Sequence, residues 1–397
     1  MSLTATVKPP LLSTAYSLSA QSLLAGVLYE NLFDYQTGRY SQTSGATIGY
    51  DSMTMEVIFS DAETRDWMAF GLGRHIEVYA PSGLVWEGFV NSMSISMDSV
   101  DFSVGPLMDI SNNIKVTYVT RSYNTNPPIG GENEETNYAA LAESQLRWGT
   151  FSEIISGGDG QTAITMNALR NSRLNDSAWP KIDQNLSSSG SGTGSITLEC
   201  LGYYHYLDRF YFDANTADTG EVNISAKLTD ILNDDPDGMF SASNASIEAN
   251  TLQVPSYDDG SRSGLAVIQE LIGLGFSSGQ RAMFMVEGQR KVIYKSLELD
   301  KAAKYTYSIY DQYPSIATVD GTAIEPWDVK PGEWVLIESL LTSKPFSATL
   351  PRQSDPKYIF IESVTYESPN SLSIKGGMGN TLKERVSLMG LGFASRG

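Results

Sequence analysis

Cys200 is the only cysteine in this chain of 397 residues, so no internal disulfide can form. A disulfide-stapled secreted scaffold is thereby excluded. Basic residues are scarce as well: 27 Lys and Arg against 46 Asp and Glu leave a formal charge of −19. A surface that neutralises nucleic-acid phosphates needs clustered Lys and Arg, and the sequence has no such cluster. An acidic wall acts in the opposite sense, repelling a duplex and letting it slide past. Histidine is limited to His75 and His205, and neither has a second His or Cys at ligand spacing apart from Cys200, five residues before His205. On a strand that odd spacing puts Cys200 and His205 on opposite faces, so we read a buried thiol and an ordinary strand histidine rather than a nucleophilic pair. Long apolar runs are missing too, and no window approaches the ~18 residues of a membrane span. The stretch from Leu11 to Leu28 is broken by Ser13, Ser17, Ser19, Gln21 and Ser22, unlike a signal-peptide core. The expectation is a soluble, untargeted chain.

What is present points to a mainly β protein with short helices. The length exceeds what one hydrophobic core normally serves, so roughly two to four packed units are expected. Hydrophobic residues make up 41% and charged residues 18%, with 35 Gly and 21 Tyr, a composition of folded, strand-rich chains. Ser60-Asp61-Ala62-Glu63 has the form of a capping box, and Trp67 and Phe70 follow at helical spacing, so a short helix is expected from Asp61 to Phe70. A meander should follow: His75 to Tyr79, a turn at 81–83, Leu84 to Ile95, a turn near 98–99, and Val100 to Val104. Met93, Ile95 and Met97 alternate with Ser94 and Ser96, as a strand with one buried face requires.

Beyond Thr120 a polar loop, with Asn126-Pro127-Pro128 and then Gly130 to Glu135, leads into Tyr138 to Trp148. A second helix is expected from Thr162 to Leu174. SSSGSGTG at 187–194 reads as a linker. Ser195 to Phe212, SITLECLGYYHYLDRFYF, is dense in aromatics and reads as a pair of strands. Ser263 caps an apolar helix ending at Gly275, and Phe284 to Val286 and Val292 to Leu297 read as a hairpin. Lys330-Pro331-Gly332-Glu333 signals a type II turn that opens a strand from Trp334 to Ile337. Strands from Tyr358 to Tyr366 and Leu372 to Lys375, joined by a turn at 368–371, then repeat the order of the meander at 76–105. An internal duplication is one reading of that repeat.

No motif carries a reaction. Asn233-Asp234-Asp235-Pro236-Asp237-Gly238 has the acidic texture of a calcium loop. It lacks the alternation and terminal Glu of that motif, and it follows Leu228 to Leu232 as a helix-ending turn would. Tyr257-Asp258-Asp259-Gly260 is ordinary turn chemistry. Asn-x-Ser triplets at Asn175, Asn185, Asn223 and Asn244 matter only for a chain secreted by a eukaryote. Carboxylate pairs for glycoside hydrolysis are always available among 46 acidic residues, and nothing singles one pair out. The expectation is a protein that is not an enzyme and takes no cofactor or metal. The 6 Trp and 21 Tyr among many acidic residues motivate one alternative, a carbohydrate-binding or carbohydrate-cleaving β-protein.

The order of segments carries a further reading: a capped helix and meander with GLVWEGFV, then SNNIKVTYV, SQLRWG, NSRLNDSAWP, SITLECLGYYHYL, LTDIL, VKPGEWVLIES and FIESVTYESPNSLSIKGG. This succession, from about residue 45 to 390, resembles the tail-tip or baseplate hub proteins of tailed bacteriophages. The resemblance implies two tube-like β-barrel domains joined by smaller mixed domains. The first would take residues 1–118 and 195–215, with an inserted mixed α/β domain at 119–194. A small α+β domain would occupy 216–305, and the second barrel 306–397. It implies a homotrimer whose six barrels match the hexameric tail tube, in a ring that passes DNA during ejection through an acidic lumen. Implied partners are tail tube and distal tail proteins, the tape measure protein, and tail fibre or spike proteins. The implied location is the virion tail tip, after synthesis in the host cytoplasm. Some such hubs carry an appended peptidoglycan-cleaving or peptidase domain; with only a short stretch after the last predicted strand, none is expected here. A distal tail or other tube-closing ring protein is the near alternative. In this reading Trp86, Gly88, Pro331, Gly332, Trp334 and Pro369 form barrel wall and turns.

Overall fold

The computed structural model describes residues 3–10, 31–97, 100–120, 131–186, 194–213, 220–258, 260–297, 302–308, 315–338, 358–368 and 371–377. The turn at 98–99, Asn126 to Pro128, most of the 187–194 linker, Pro369 and the stretch after 377 lie outside the described residues. The protein is mainly β with short helices.

The chain begins with strands β1 (Thr4–Lys8), β2 (Gln36–Gly45) and β3 (Gly49–Val57), then helix α1 (Asp61–Phe70) and the meander β4 (His75–Ala80), β5 (Gly83–Met97) and β6 (Val100–Val104). Helix α1 starts where its sequence says it should: Ser60 Oγ accepts from the Glu63 amide while the Glu63 carboxylate accepts from the Ser60 amide. Trp67 is its fully buried anchor, stacked on Phe59 at 5.6 Å between ring centroids.

A second group holds β7 (Asn113–Thr120), β8 (Asn133–Glu135), β9 (Ala139–Ala140), helix α2 (Ala142–Trp148), β10 (Ser152–Gln161), helix α3 (Ala163–Ser177) and β11 (Ile182–Leu186). Strands β10, β7, β8 and β9 make a separate four-stranded sheet, in which β10 runs parallel to β7, while β11 returns to pair with β6. Strand β12 (Ser195–Gly202) follows. Its Ile196, Leu198 and Cys200 are buried between Met53, Met55 and Val57 of β3 on one side and Met93 and Ile95 of β5 on the other. Alternation with one apolar face is what fixes this register, since a slip of one residue would expose every one of these side chains.

The third group is β13 (Glu221–Asn223), helix α4 (Ile224–Asn233), β14 (Ser246–Ile247), β15 (Gln253–Pro255), helix α5 (Gly264–Leu274), β16 (Ala282–Glu287) and β17 (Lys291–Ser296). Ser263 caps α5 by accepting from the Ala266 amide. The last group is β18 (Tyr305–Ser308), β19 (Ser315–Thr318), β20 (Trp334–Glu338), β21 (Tyr358–Glu367) and β22 (Ser371–Gly376). Strands β20, β21 and β22 form an antiparallel meander, as β4, β5 and β6 do. The two meanders belong to one sheet whose path runs β1-β4-β5-β12-β3-β2-β21-β20-β18-β19.

Three expectations need correction. The aromatic tract is not a pair of strands: β12 stops at Gly202, and Tyr203–Asp208 is a 3-10 helix. Tyr203, Tyr204, Tyr206 and Leu207 are the buried residues there, a helical spacing that aromatic strand propensity masks. His205 is therefore not a strand residue, and the opposite-face relation to Cys200 does not arise. Part of the supposed polar loop is strand β8, whose Asn133, Glu134 and Glu135 are all exposed. Charge on the outer strand of a sheet protects its open edge, so a strand here looks like a loop in sequence.

Candidate functional site

The predicted wall residues fall in two places. Trp86 on β5 is fully buried in the core formed by β3, β5 and β12. Gly88 lies two residues further on the same strand face, where an added Cβ would sit 2.2 Å from the Leu201 carbonyl oxygen and 2.4 Å from the Trp86 ring. Glycine at 88 thus makes room for the indole and for the close pass of β12.

Pro331 and Gly332 form the predicted turn before β20, and Gly332 has φ 80°, the positive value that the third position of a type II turn demands. The Gly332 amide donates to the Ile361 carbonyl, and the Ile361 amide to Glu333, which ties the turn to β21. Trp334 is 1% exposed and lies directly opposite Phe360, their ring centroids 5.5 Å apart and their planes inclined at 64°. Around them pack Ala46 at the β2–β3 turn, Met283 and Met285 of β16, and Leu297. The indole therefore sits where the first, third and last groups of strands meet. Glu333 lies 3.8 Å from Lys304.

A second constellation lies beneath the β4–β5 hairpin, and it was not anticipated. Residues i and i+2 of a strand share a face, so His75 and Glu77 point the same way, and Glu87 of β5 stands directly opposite Glu77 in the ladder. His75 Nε2 is 2.9 Å from Glu77 Oε1 and 3.8 Å from Glu87 Oε1. His75 Nδ1 is 2.7 Å from the hydroxyl of Tyr203, which comes from the 3-10 helix after β12. Lys8 of β1 binds the other Glu77 oxygen at 2.5 Å, and the Tyr79 hydroxyl donates to it at 2.9 Å. Glu87 Oε2 accepts from the amides of Gln289 and Arg290. Gln289 and Arg290 have φ 62° and 57°, a left-handed turn that aims both N–H groups at the carboxylate.

Burial pushes His75 down and Glu87 up from their ordinary values. Burial also pushes Glu77 up, but hydrogen bonds from Lys8, His75 and Tyr79 outweigh it and hold that carboxyl at about 2. Only part of the signal for the constellation was legible, the His-x-Glu of 75–77 on a predicted strand. A search for histidine and cysteine at ligand spacing passes over it. Among the described residues, His75, Glu77 and Glu87 are the only group of three with possible ligand atoms gathered within 4.8 Å.

His205 pairs instead with Asp51 at 2.8 Å, with both side chains partly exposed. Cys200 is 2% exposed, and burial pushes its thiol far above the ordinary range. A buried thiol whose ionisation is disfavoured is a poor nucleophile, so Cys200 should resist DTNB in the native protein and react at once in denaturant. Fast native labelling would contradict this packing. In the acidic turn, Asp235 accepts from the Asp237, Met239 and Phe240 amides, so it closes the end of α4 as a helix-ending turn does. Asp237 accepts from Thr150 and from Tyr206.

No family model matches the sequence, and no curated protein matches it. Among solved structures, the chain is similar to the 43 kDa tail protein of prophage MuSo2 from Shewanella oneidensis. That likeness has 7% identity and a TM-score of 0.41, over 94% of this chain and 95% of that one. It is also similar to a tail protein from Neisseria meningitidis MC58, with 8% identity and a TM-score of 0.37, over 92% of each chain. At these values no residue role passes from either protein to this one.

Proposed function

We propose that this chain is a structural component of a phage tail tip, a hub subunit whose copies close into a ring. Three copies would supply six β units to match a hexameric tube, and the ring would pass DNA rather than hold it. The observation that carries the reading is the pair of antiparallel meanders, β4-β5-β6 and β20-β21-β22, held in one sheet by the β2–β21 pairing. Two antiparallel meanders per chain, joined in one sheet, would let a three-copy ring present six positions, and closed rings form through heterologous contacts. The charge of −19 suits a lumen that must not retain a duplex. The proposed role needs no catalytic step, and the chain is proposed not to be an enzyme.

The carbohydrate alternative weakens at its own motive. Trp67, Trp86, Trp148, Trp327 and Trp334 are buried, so five of the six tryptophans belong to the core and not to a stacking platform. The sixth, Trp179, is 41% exposed and packs edge-on against Trp148, so a single indole is left at the surface.

Native mass spectrometry of the tag-free chain, followed by electron cryo-microscopy, tests the proposal. A three-copy ring is the expected result, and six copies would point to a distal tail or tube-closing protein instead. A monomer that is absent from purified virions, or specific binding to one glycan on an array, would overturn it.

A further inference from the structure

We propose that His75, Glu77 and Glu87 form a binding site for one divalent transition-metal ion of the zinc class. Two observations meet here. First, the ladder sets two carboxylates directly opposite each other, like charges whose repulsion a cation held between them would relieve. Second, an imidazole nitrogen faces the same gap at 2.9 and 3.8 Å from one oxygen of each. With bonds of ~2.1 Å, ligand atoms around tetrahedral zinc stand roughly 3.4 Å apart, so the two separations straddle the required value. One nitrogen with two carboxylate oxygens is a donor set for Zn2+ or Co2+; an all-oxygen site would be expected for Mg2+ or Ca2+.

The surroundings already do the work of an outer shell. The Tyr203 hydroxyl holds Nδ1 and so fixes the ring with Nε2 toward the carboxylates. Glu87 is held through its second oxygen by the two amides of the left-handed turn at Gln289 and Arg290. Glu77 is held through its second oxygen by the Tyr79 hydroxyl.

Lys8 is the cation that occupies this charge in the metal-free chain. Its side chain is 43% exposed, so it can swing to solvent when a metal enters. Arg290, whose positive field reaches both His75 and Glu87, stays behind. Binding therefore places two positive charges beside one retained guanidinium and two carboxylates, and Lys8 acts as a competitor. This predicts opposite effects from two substitutions at residues that are not themselves metal ligands but contact them. Lys8→Met should tighten binding, because the competing ammonium is gone. Tyr203→Phe should weaken it by about 10-fold or more, because the imidazole loses its outer-shell partner.

The test is calorimetric titration of the tag-free, EDTA-treated full chain with ZnCl2, with MgCl2 as a control and CoCl2 to report coordination by its visible absorption. One equivalent of Zn2+ is expected, with the spectrum of low-coordinate Co2+ and a rise in Tm of ~3 °C at ~100 times Kd. The folded double variant E77Q/E87Q should lose the binding. If that variant does not fold, the opposite shifts of K8M and Y203F decide the matter. No Zn2+ uptake by the native chain, equal uptake by folded E77Q/E87Q, or no change in either K8M or Y203F would overturn the proposal.

Discussion

Replacing Trp334 with alanine is expected to lower stability by about 3–5 kcal/mol, the range for removing a buried aromatic from a packed core. The size follows from what surrounds the ring. Trp334 faces Phe360 within its own sheet and is packed against Met283, Met285 and Ala46 from two other groups of strands. No neighbour is free to collapse into the space, because each belongs to a strand or turn pinned by its own hydrogen bonds. The loss should also be uneven. Urea unfolding followed by hydrogen exchange should show β18, β20 and the start of β21 opening before the core around Trp86. Trp334→Phe should recover part of the loss. A variant that unfolds like the parent, or that keeps its stability but loses binding to a glycan, would make Trp334 a ligand-contacting residue rather than wall.

The second large effect is expected at Gly49. This residue has φ +81° and makes a parallel bridge to Val286, whose amide also donates to the Ile48 carbonyl at 3.0 Å. A Cβ at position 49 would lie 2.1 Å from the Val286 carbonyl oxygen. Gly49→Ala therefore combines a left-handed backbone that L residues disfavour with a collision against main chain, for a combined cost of ~3 kcal/mol or more. Because the colliding atoms are backbone, trimming the side chain with Val286→Ala should not rescue the variant. Chemical denaturation decides: a change within ~0.5 kcal/mol, the size of an ordinary surface substitution, would show that β3 and β16 do not depend on this approach.

Much of the fold was legible because its signals are local. The Ser60 and Glu63 box marks the start of α1, Ser263 and Gly275 bracket α5, and Pro331-Gly332 opens β20, each fixed by a few neighbouring residues. The parts that were not legible depend on partners far along the chain. Strand β10, with its SGGDG run, has the composition of a loop and becomes a strand only by lying parallel to β7. The 3-10 helix at Tyr203–Asp208 is packed by β3, β5, β16 and α5, so tertiary burial overrides aromatic strand propensity. The His75 constellation needs Glu87 from across a hairpin, Tyr203 from beyond the inserted sheet and Lys8 from the first strand. Only the His75 and Glu77 pair could be seen in one window of sequence.

The pairing of β2 with β21 also sets an order of events during synthesis. Thr43 and Thr365, whose hydroxyls meet at 3.1 Å, are separated by 322 residues. At typical translation rates of 5–20 residues per second, β2 waits roughly 15–65 s for its neighbour to emerge. Throughout that interval the nascent chain carries an open row of amide and carbonyl groups on β2, a template for pairing with other nascent chains. Yield in the cell should therefore depend on how quickly the last quarter of the chain is made and on holding chaperones at the ribosome.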